Sequence, residues 1–269
     1  MITFTVVTVC LNAEDDIEKT LKSVLEQQNA SYEYIIQDGE SCDKTKTIIE
    51  QYIPLFKKKN VVLKYHSEKD NGIYDAMNKA VQSADGEWVI FMNAGDLFFD
   101  CHVLEDVSRN GIYDAADVIY GHTMVELTKK NYKFVSVHDE KLLNQGMSMG
   151  HQAMFVKREI LAKYQFDCNY RIAADYDLCL RLFRDNLCFE RLNLIVARYS
   201  REGISSREGG ILKKECNAIK IKYKLEDKKV SGFMCKVVAL IVYAFPFFSD
   251  MRYCINQMKR MGVTFQEGI

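Results

Sequence analysis

The chain has 269 residues, 48% of them hydrophobic and 27% charged, with a net charge of −1. That balance excludes a strongly basic nucleic-acid binder and a disordered chain, and the length suits one large domain or a domain plus an extension. Nine cysteines, an odd number without a Cys-x-x-Cys pair, argue against a disulfide framework or a structural zinc site and for reduced thiols in a cytoplasmic compartment.

Strand and helix alternate over the first hundred residues. Thr3 to Val9 is β-branched and apolar and predicts a strand straight after Met1, with no signal peptide expected. Asn12 is placed to cap the next helix, with Asp15 three positions on, and Ile17, Leu21, Val24 and Leu25 share one helical face. Tyr34 to Ile36 predicts a buried strand. Ile48, Ile49, Tyr52, Ile53 and Phe56 predict a second helix, and Val61 to Leu63 a third strand. Ile73, Met77, Ala80 and Val81 predict a third helix, and Trp88 to Met92 a fourth strand. Such alternation implies an α/β fold, a mostly parallel sheet with helices on both faces. Ligands of such sheets bind beyond the carboxyl ends of the strands, where Asn12, Asp38-Gly39 and Asn93 to Asp96 fall.

Further along, Val118 to Tyr120 predicts a strand, and Met124 to Leu127 is expected to pair with Tyr132 to Val135 across a turn. Asp175 opens an amphipathic helix with Leu178, Leu182 and Phe183, and Ile195 to Ala197 predicts a last strand. The composition changes after Arg207. Eight lysines against three acids lie between Ile211 and Lys236, followed by twelve apolar residues from Val237 to Phe248. A bilayer span needs roughly 20 such residues. The tail therefore reads either as helix on a membrane surface or as helix packed on the domain or against a second copy.

Four polar clusters carry the candidate chemistry. In the first, Asp38 stands at a strand tip, the chain is expected to turn at Gly39, and Ser41 or Asp43 can cap the following helix. An Asp there can also accept from the ring N–H of a base. In the second, Asp70 or Asn71 starts a helix and Gly72 permits close backbone approach, so that an anion can lie at the helix end. In the third, Asn93-Ala94-Gly95-Asp96 follows a strand. It reads as a plain turn or as a site where Asp96 meets a divalent cation whose shell is completed by phosphate and water. In the fourth, Arg171 to Arg181, Asp175 reads as a helix cap or a general base, and Asp177 pairs with Arg181.

With all four clusters in this order, the chain resembles the inverting family 2 glycosyltransferases of the GT-A fold, and most of all the bacterial branch that builds colanic acid and other exopolysaccharides or capsules. The resemblance runs from about Thr3 to Ser206. It rests on Val6 to Asn12, Gln37-Asp38-Gly39, Asp70 to Asn78, Gly86-Glu87-Trp88 with Asn93 to Asp96, and Arg171 to Arg181. It implies a Rossmann-like GT-A domain over residues 1–206, with a nucleotide-sugar half to about 100 and an acceptor half over 101–206, then a helical extension over 207–269. By position, Thr8, Asn12, Asp38, Gly39, Asp70, Gly72, Asn78, Asn93 and Ala94 would line the nucleotide site. Asp96 would hold Mg2+ or Mn2+, Asp175 would be the catalytic base, and His151, Gln152 and Arg171 would face the acceptor. The pattern departs from the family's usual one where Asn93, Gly95 or its neighbour, Ala174 and Gln37 stand in for acids, so that Asp96 is the one charged residue of its motif.

The implied activity is inverting transfer from a nucleotide-sugar, expected to be a UDP-sugar, to a lipid-linked or growing saccharide in polysaccharide biosynthesis. The tail would add peripheral contact with the inner face of the cell membrane. Nucleic acid is not an expected partner. Two alternatives stand beside this one. A sugar-phosphate nucleotidyltransferase would need a Gly-rich basic loop after the first strand, where this chain has Cys10 to Asp16, acidic and without glycine. A non-catalytic nucleotide- or saccharide-binding module would have no use for Asp175.

Overall fold

The computed structural model describes residues 3–111, 115–128, 131–135, 140–200, 203 and 207–225. Its first half follows the apolar periodicity: β1 (Thr3–Cys10), α1 (Ile17–Leu25), β2 (Ser31–Asp38), α2 (Thr45–Lys58), β3 (Val62–Ser67), α3 (Ile73–Gln82) and β4 (Trp88–Phe91). The second half comprises β5 (Leu97–Phe98), α4 (Val103–Arg109), β6 (Val118–Thr128), β7 (Asn131–Val135), β8 (Met154–Lys157), α5 (Arg158–Tyr164), α6 (Ala174–Arg184), β9 (Phe189–Ser200) and α7 (Gly209–Lys222). Two 3-10 turns lie at Glu140–Asn144 and His151–Ala153.

One sheet runs in the order β3-β2-β1-β4-β8-β6-β9-β5, with β7 paired to β6. Strands β3, β2, β1 and β4 are parallel, and β6 and β9 are parallel. Between them β8 runs antiparallel to both β4 and β6, so the second half of the sheet is mixed. The expected pairing of residues 124–127 with 132–135 is present as the antiparallel β6–β7 ribbon.

Alternate residues of each inner strand feed two cores. Phe4, Val6, Tyr34, Ile36, Trp88 and Ile90 pack on one face with Ile17, Leu21 and Val24 of α1, Ile49 and Phe56 of α2, and Val103 and Leu104 of α4. Val7, Val9, Ile35, Val89 and Phe91 pack on the other with Met77 and Ala80 of α3, Leu161 of α5, Leu178 and Leu182 of α6, and Ile219 of α7. Burial on both faces is why these strands read as nearly continuous apolar runs. Each fully buried Ile, Leu or Phe contributes about 1.5–3 kcal/mol.

The order β3-β2-β1-β4 makes the gap between β1 and β4 a topological switch point, and the four loops at the carboxyl ends of these strands gather there. Two local expectations are corrected at this rim. Asn12 does not cap α1, which begins at Ile17 after Asp16. Asn12 is instead left-handed (φ 49°), and its Oδ1 accepts the Cys42 N–H at 2.9 Å, tying the loop after β1 to the loop after β2. Likewise the left-handed residue after β2 is Glu40 (φ 64°), not Gly39. Gly39 is needed for space, because a Cβ there would stand 2.5 Å from Asp70 Oδ2. Gly72 is the reverse case: its surroundings are open, but its φ of 117° is one that side chains rarely allow.

The expected helix in the tail is present as α7. The apolar run from Val237 to Phe248 lies outside the described residues, as does most of the Arg201 to Ser206 loop. Among the described residues, no helix is long and apolar enough to cross a membrane.

Candidate active site

Asp96 and Asp175 lie 79 positions apart in sequence, and one imidazole stands between them. His151, in the 3-10 turn leading into β8, places Nε2 3.8 Å from Asp96 Oδ2 and Nδ1 3.4 Å from Asp175 Oδ2. Its Nε2 is also 3.3 Å from Asn93 Nδ2. The antiparallel entry of β8 beside β4 creates this meeting, since it carries the His151 turn back across the carboxyl end of β4.

The loop from Asn93 to Asp96 is held from below by Thr20 of α1. The Thr20 hydroxyl accepts the Gly95 N–H at 2.9 Å and lies 2.9 Å from the Asp96 carbonyl oxygen. Burial pushes the Asp96 carboxyl up to about 6, against the opposing pull of His151 and Gln152. The Gln152 amide reaches Asp96 Oδ1 at 3.5 Å, so Gln152 stands on the Asp96 side of the site. Burial pulls the His151 pKa down, but contact with Asp175 and the field of Asp96 outweigh it and leave the pKa raised.

Asp175 lies in the first turn of α6. Its Oδ1 accepts the Tyr176 N–H at 2.8 Å and lies 3.3 Å from the Tyr74 hydroxyl, which donates to the Ile172 carbonyl at 2.6 Å. Tyr74 thus links α3 to the segment that carries Asp175.

Across the switch point, Asp38 is fully buried. Its Oδ2 accepts from the hydroxyls of Tyr65 (3.1 Å) and Ser67 (3.0 Å), and its Oδ1 accepts from the N–H of Ser41 (3.1 Å) and from its hydroxyl. Asp70 faces Gly39 and accepts the Gly72 N–H at 2.9 Å. Asp43, expected as a helix cap, accepts the N–H groups of Thr45 (2.9 Å) and Glu14 (3.0 Å). Asn12, Asp38, Gly39, Asp70 and Gly72 therefore share one rim, and Asn93, Ala94 and Asp96 sit on the loop after the neighbouring strand.

Three expected site residues are engaged elsewhere. Thr8 is fully buried, donating to the Met92 carbonyl at 2.6 Å and bonded to the Tyr34 hydroxyl at 2.7 Å, which ties β1 to its neighbours. Asn78 spends its amide on the backbone of Phe166, donating to its carbonyl and accepting its N–H, each at 2.9 Å. Arg171 is paired with Glu208 at 2.6 Å, pointing to the start of α7. Thr20 escaped the sequence reading, because a threonine inside an amphipathic helix carries no motif of its own; Tyr74 lies within the Asp70 to Asn78 run but has no role assigned there.

Among the described residues, no three His, Cys, Asp or Glu side chains converge to hold a metal ion. The donor set at the Asp96 loop nevertheless fits a hard cation that completes its shell with phosphate oxygens. On the same loop as Asp96, the Asn93 side-chain oxygen is buried with no hydrogen-bond partner. Two oxygen donors of this kind suit Mg2+ or Mn2+.

Comparison with known proteins identifies the family and the fold. The model for "Glycosyl transferase family 2" matches residues 5–169 and ends just before Asp175. A PGL/p-HBAD biosynthesis glycosyltransferase of Mycobacterium bovis is 28% identical over 203 residues, covering 74% of this chain and 77% of that protein. A putative teichuronic acid biosynthesis glycosyltransferase of Bacillus subtilis, TuaG, is 38% identical over 91 residues, covering 34% of this chain and 35% of that protein. Among solved structures, S. aureus TarS with UDP-GlcNAc superposes with a TM-score of 0.62 at 18% identity over 77% of this chain. The match spans 61% of that TarS chain, less than two thirds. The Pyrobaculum calidifontis mannosyltransferase with GDP-Man and Mn2+ superposes with a TM-score of 0.64 at 14% identity, covering 99% of this chain and 76% of that one. The fold is that of the GT-A glycosyltransferases, and the chain belongs to glycosyl transferase family 2.

Proposed function

We propose that this glycosyltransferase moves a sugar, with inversion, from a UDP-sugar to a lipid-linked or growing saccharide. The observation that carries the reading is the placing of Asp96 and Asp175 on opposite ring nitrogens of His151. Two carboxylates one imidazole apart can take separate roles, one toward the leaving diphosphate and one toward the acceptor. The names of the relatives, which concern PGL/p-HBAD biosynthesis and teichuronic acid biosynthesis, support the acceptor class. UDP-GlcNAc in the TarS structure supports the donor class.

In this reading Asp175 takes the proton of the acceptor hydroxyl as that oxygen attacks the anomeric carbon. The bond from that carbon to the diphosphate oxygen breaks on the opposite side, so a single displacement inverts the configuration. Asp96 and the Asn93 side-chain oxygen would hold a divalent ion, which when bound offsets charge on the leaving diphosphate. The rim of Gly39, Asp70 and Gly72 takes the nucleoside, above the buried Asp38 that holds Ser41, Tyr65 and Ser67. His151 sets the spacing between the two carboxylates, and Gln152 steadies Asp96. The basic and then apolar tail supports peripheral contact with the inner membrane surface, where a lipid-linked acceptor is met.

Asp175→Asn keeps the shape and removes the base. It is expected to lower UDP release from UDP-GlcNAc at least 1,000-fold while leaving UDP affinity within about twofold. Such a loss lies within what a general base supplies, roughly 100- to 10,000-fold. A variant that turns over normally would remove Asp175 from the base role.

A further inference from the structure

Glu215 of α7 lies outside the residues that form the site, yet both its oxygens face the segment leading to Asp175. Its Oε1 accepts the Arg171 N–H at 2.7 Å, and its Oε2 accepts the N–H groups of Ile172 at 2.9 Å and Ala173 at 3.0 Å. Ala173 is the N-cap of α6, which has no side-chain cap of its own. A carboxylate suits this place, since unpaired N–H groups and the positive end of the helix dipole meet there. On the other side of the same segment Tyr74 donates to the Ile172 carbonyl. The segment is thus held on both sides, immediately ahead of the base.

Two further ties keep Glu215 in register. At the start of α7 Glu208 pairs with Arg171 at 2.6 Å. At its end Lys222 and the Tyr223 hydroxyl reach Asp177 Oδ1 at 2.9 and 3.0 Å, while Ile219 is fully buried between these points.

We infer that Glu215 is a positioning residue for the sugar-transfer reaction: by fixing Arg171 to Ala173 it sets where Asp175 stands relative to His151 and the acceptor hydroxyl. It touches no reacting atom. The inference rests on Asp175 acting as the base.

Misplacement of a reacting group by about 1 Å can cost 100-fold in rate. Glu215→Ala is therefore expected to lower kcat about 10- to 100-fold and to leave the donor KM nearly unchanged, because the rim that takes the nucleoside is untouched. Glu215→Asp, which keeps the charge on a shorter arm, should recover part of the loss. The test uses the full chain and follows UDP release from UDP-GlcNAc and UDP-glucose with Mn2+, beside Asp175→Asn. Hydrogen exchange at the amides of residues 171–173 is measured on the same proteins and should accelerate in Glu215→Ala.

Normal kcat in Glu215→Ala with an inactive Asp175→Asn overturns the role of Glu215 and leaves the base in place. Normal turnover in Asp175→Asn overturns the base reading instead. A fall in kcat with an equal rise in donor KM and early melting marks a general loss of structure and also overturns positioning. Slow exchange at 171–173 in Glu215→Ala overturns it whatever the turnover.

Discussion

Asp96 and Asp175 are the same residue type in different settings, and the setting makes a prediction for Asp96. Desolvation of the half-buried side chain pushes its carboxyl up to about 6, and a divalent ion needs the ionised form. Raising the pH through 6 frees that form, so Mn2+-dependent binding of UDP-glucose should strengthen between pH 5.5 and 7.5. UDP-glucose is the suitable probe because both its phosphates are esterified on two sides and do not titrate in this range. Calorimetry that finds equal affinity at both pH values would remove Asp96 from the metal site. Asp96→Asn should bind more weakly at every pH in this range. The importance of His151 is also a matter of setting: in the sequence it is one histidine beside a glutamine, and only the arrival of β8 next to β4 puts it between the two carboxylates.

Among the secondary-structure elements, the buried Asp177 is the clearest energetic feature. It has no exposed surface, and it receives Arg181 Nε at 2.8 Å, Lys222 Nζ at 2.9 Å and the Tyr223 hydroxyl at 3.0 Å. Breaking a buried pair leaves its partner charge uncompensated and costs about 3–5 kcal/mol. Lys222 is partly exposed and can turn to water, so Asp177→Ala is expected near the low end, about 3 kcal/mol. Urea unfolding measures this, and a cost below about 1 kcal/mol would show that α7 does not depend on the contact. The pairing of Asp177 with Arg181 was legible from spacing, as were the elements of the first hundred residues, where long apolar periods separate strand from helix. β5, with two residues, and α4 and α5, with seven each, are too short to show a period. The contacts of Glu215 bridge 42 to 44 positions and have no local signature. The Asn93 to Asp96 loop could be found by its residue types, whereas Thr20 beneath it reads as one more helix position.

For the whole molecule, the sequence suggests a break near residue 206, yet α7 buries Ile219 in the same core as α3 and α6. Two truncations separate the parts of the tail. Removal of residues 226–269 takes the apolar run and leaves α7, so turnover of UDP-GlcNAc should stay within about twofold while the membrane-bound fraction falls. Removal of 207–269 takes Glu215 and Lys222 as well, and both turnover and melting temperature should drop. If the full chain and the 226–269 deletion divide equally between membrane and supernatant, the tail has no part in membrane contact.

The position of α7 also has a thermodynamic corollary. The polypeptide that leaves at Leu225 toward the lysine-rich and apolar stretch is continuous with the helix whose carboxylate holds the segment before Asp175. Whatever binds that stretch and prefers one setting of α7 over another shares its free energy with the segment before Asp175. By reciprocity, any second ligand whose affinity depends on that setting of α7 must change affinity at the tail by the same factor.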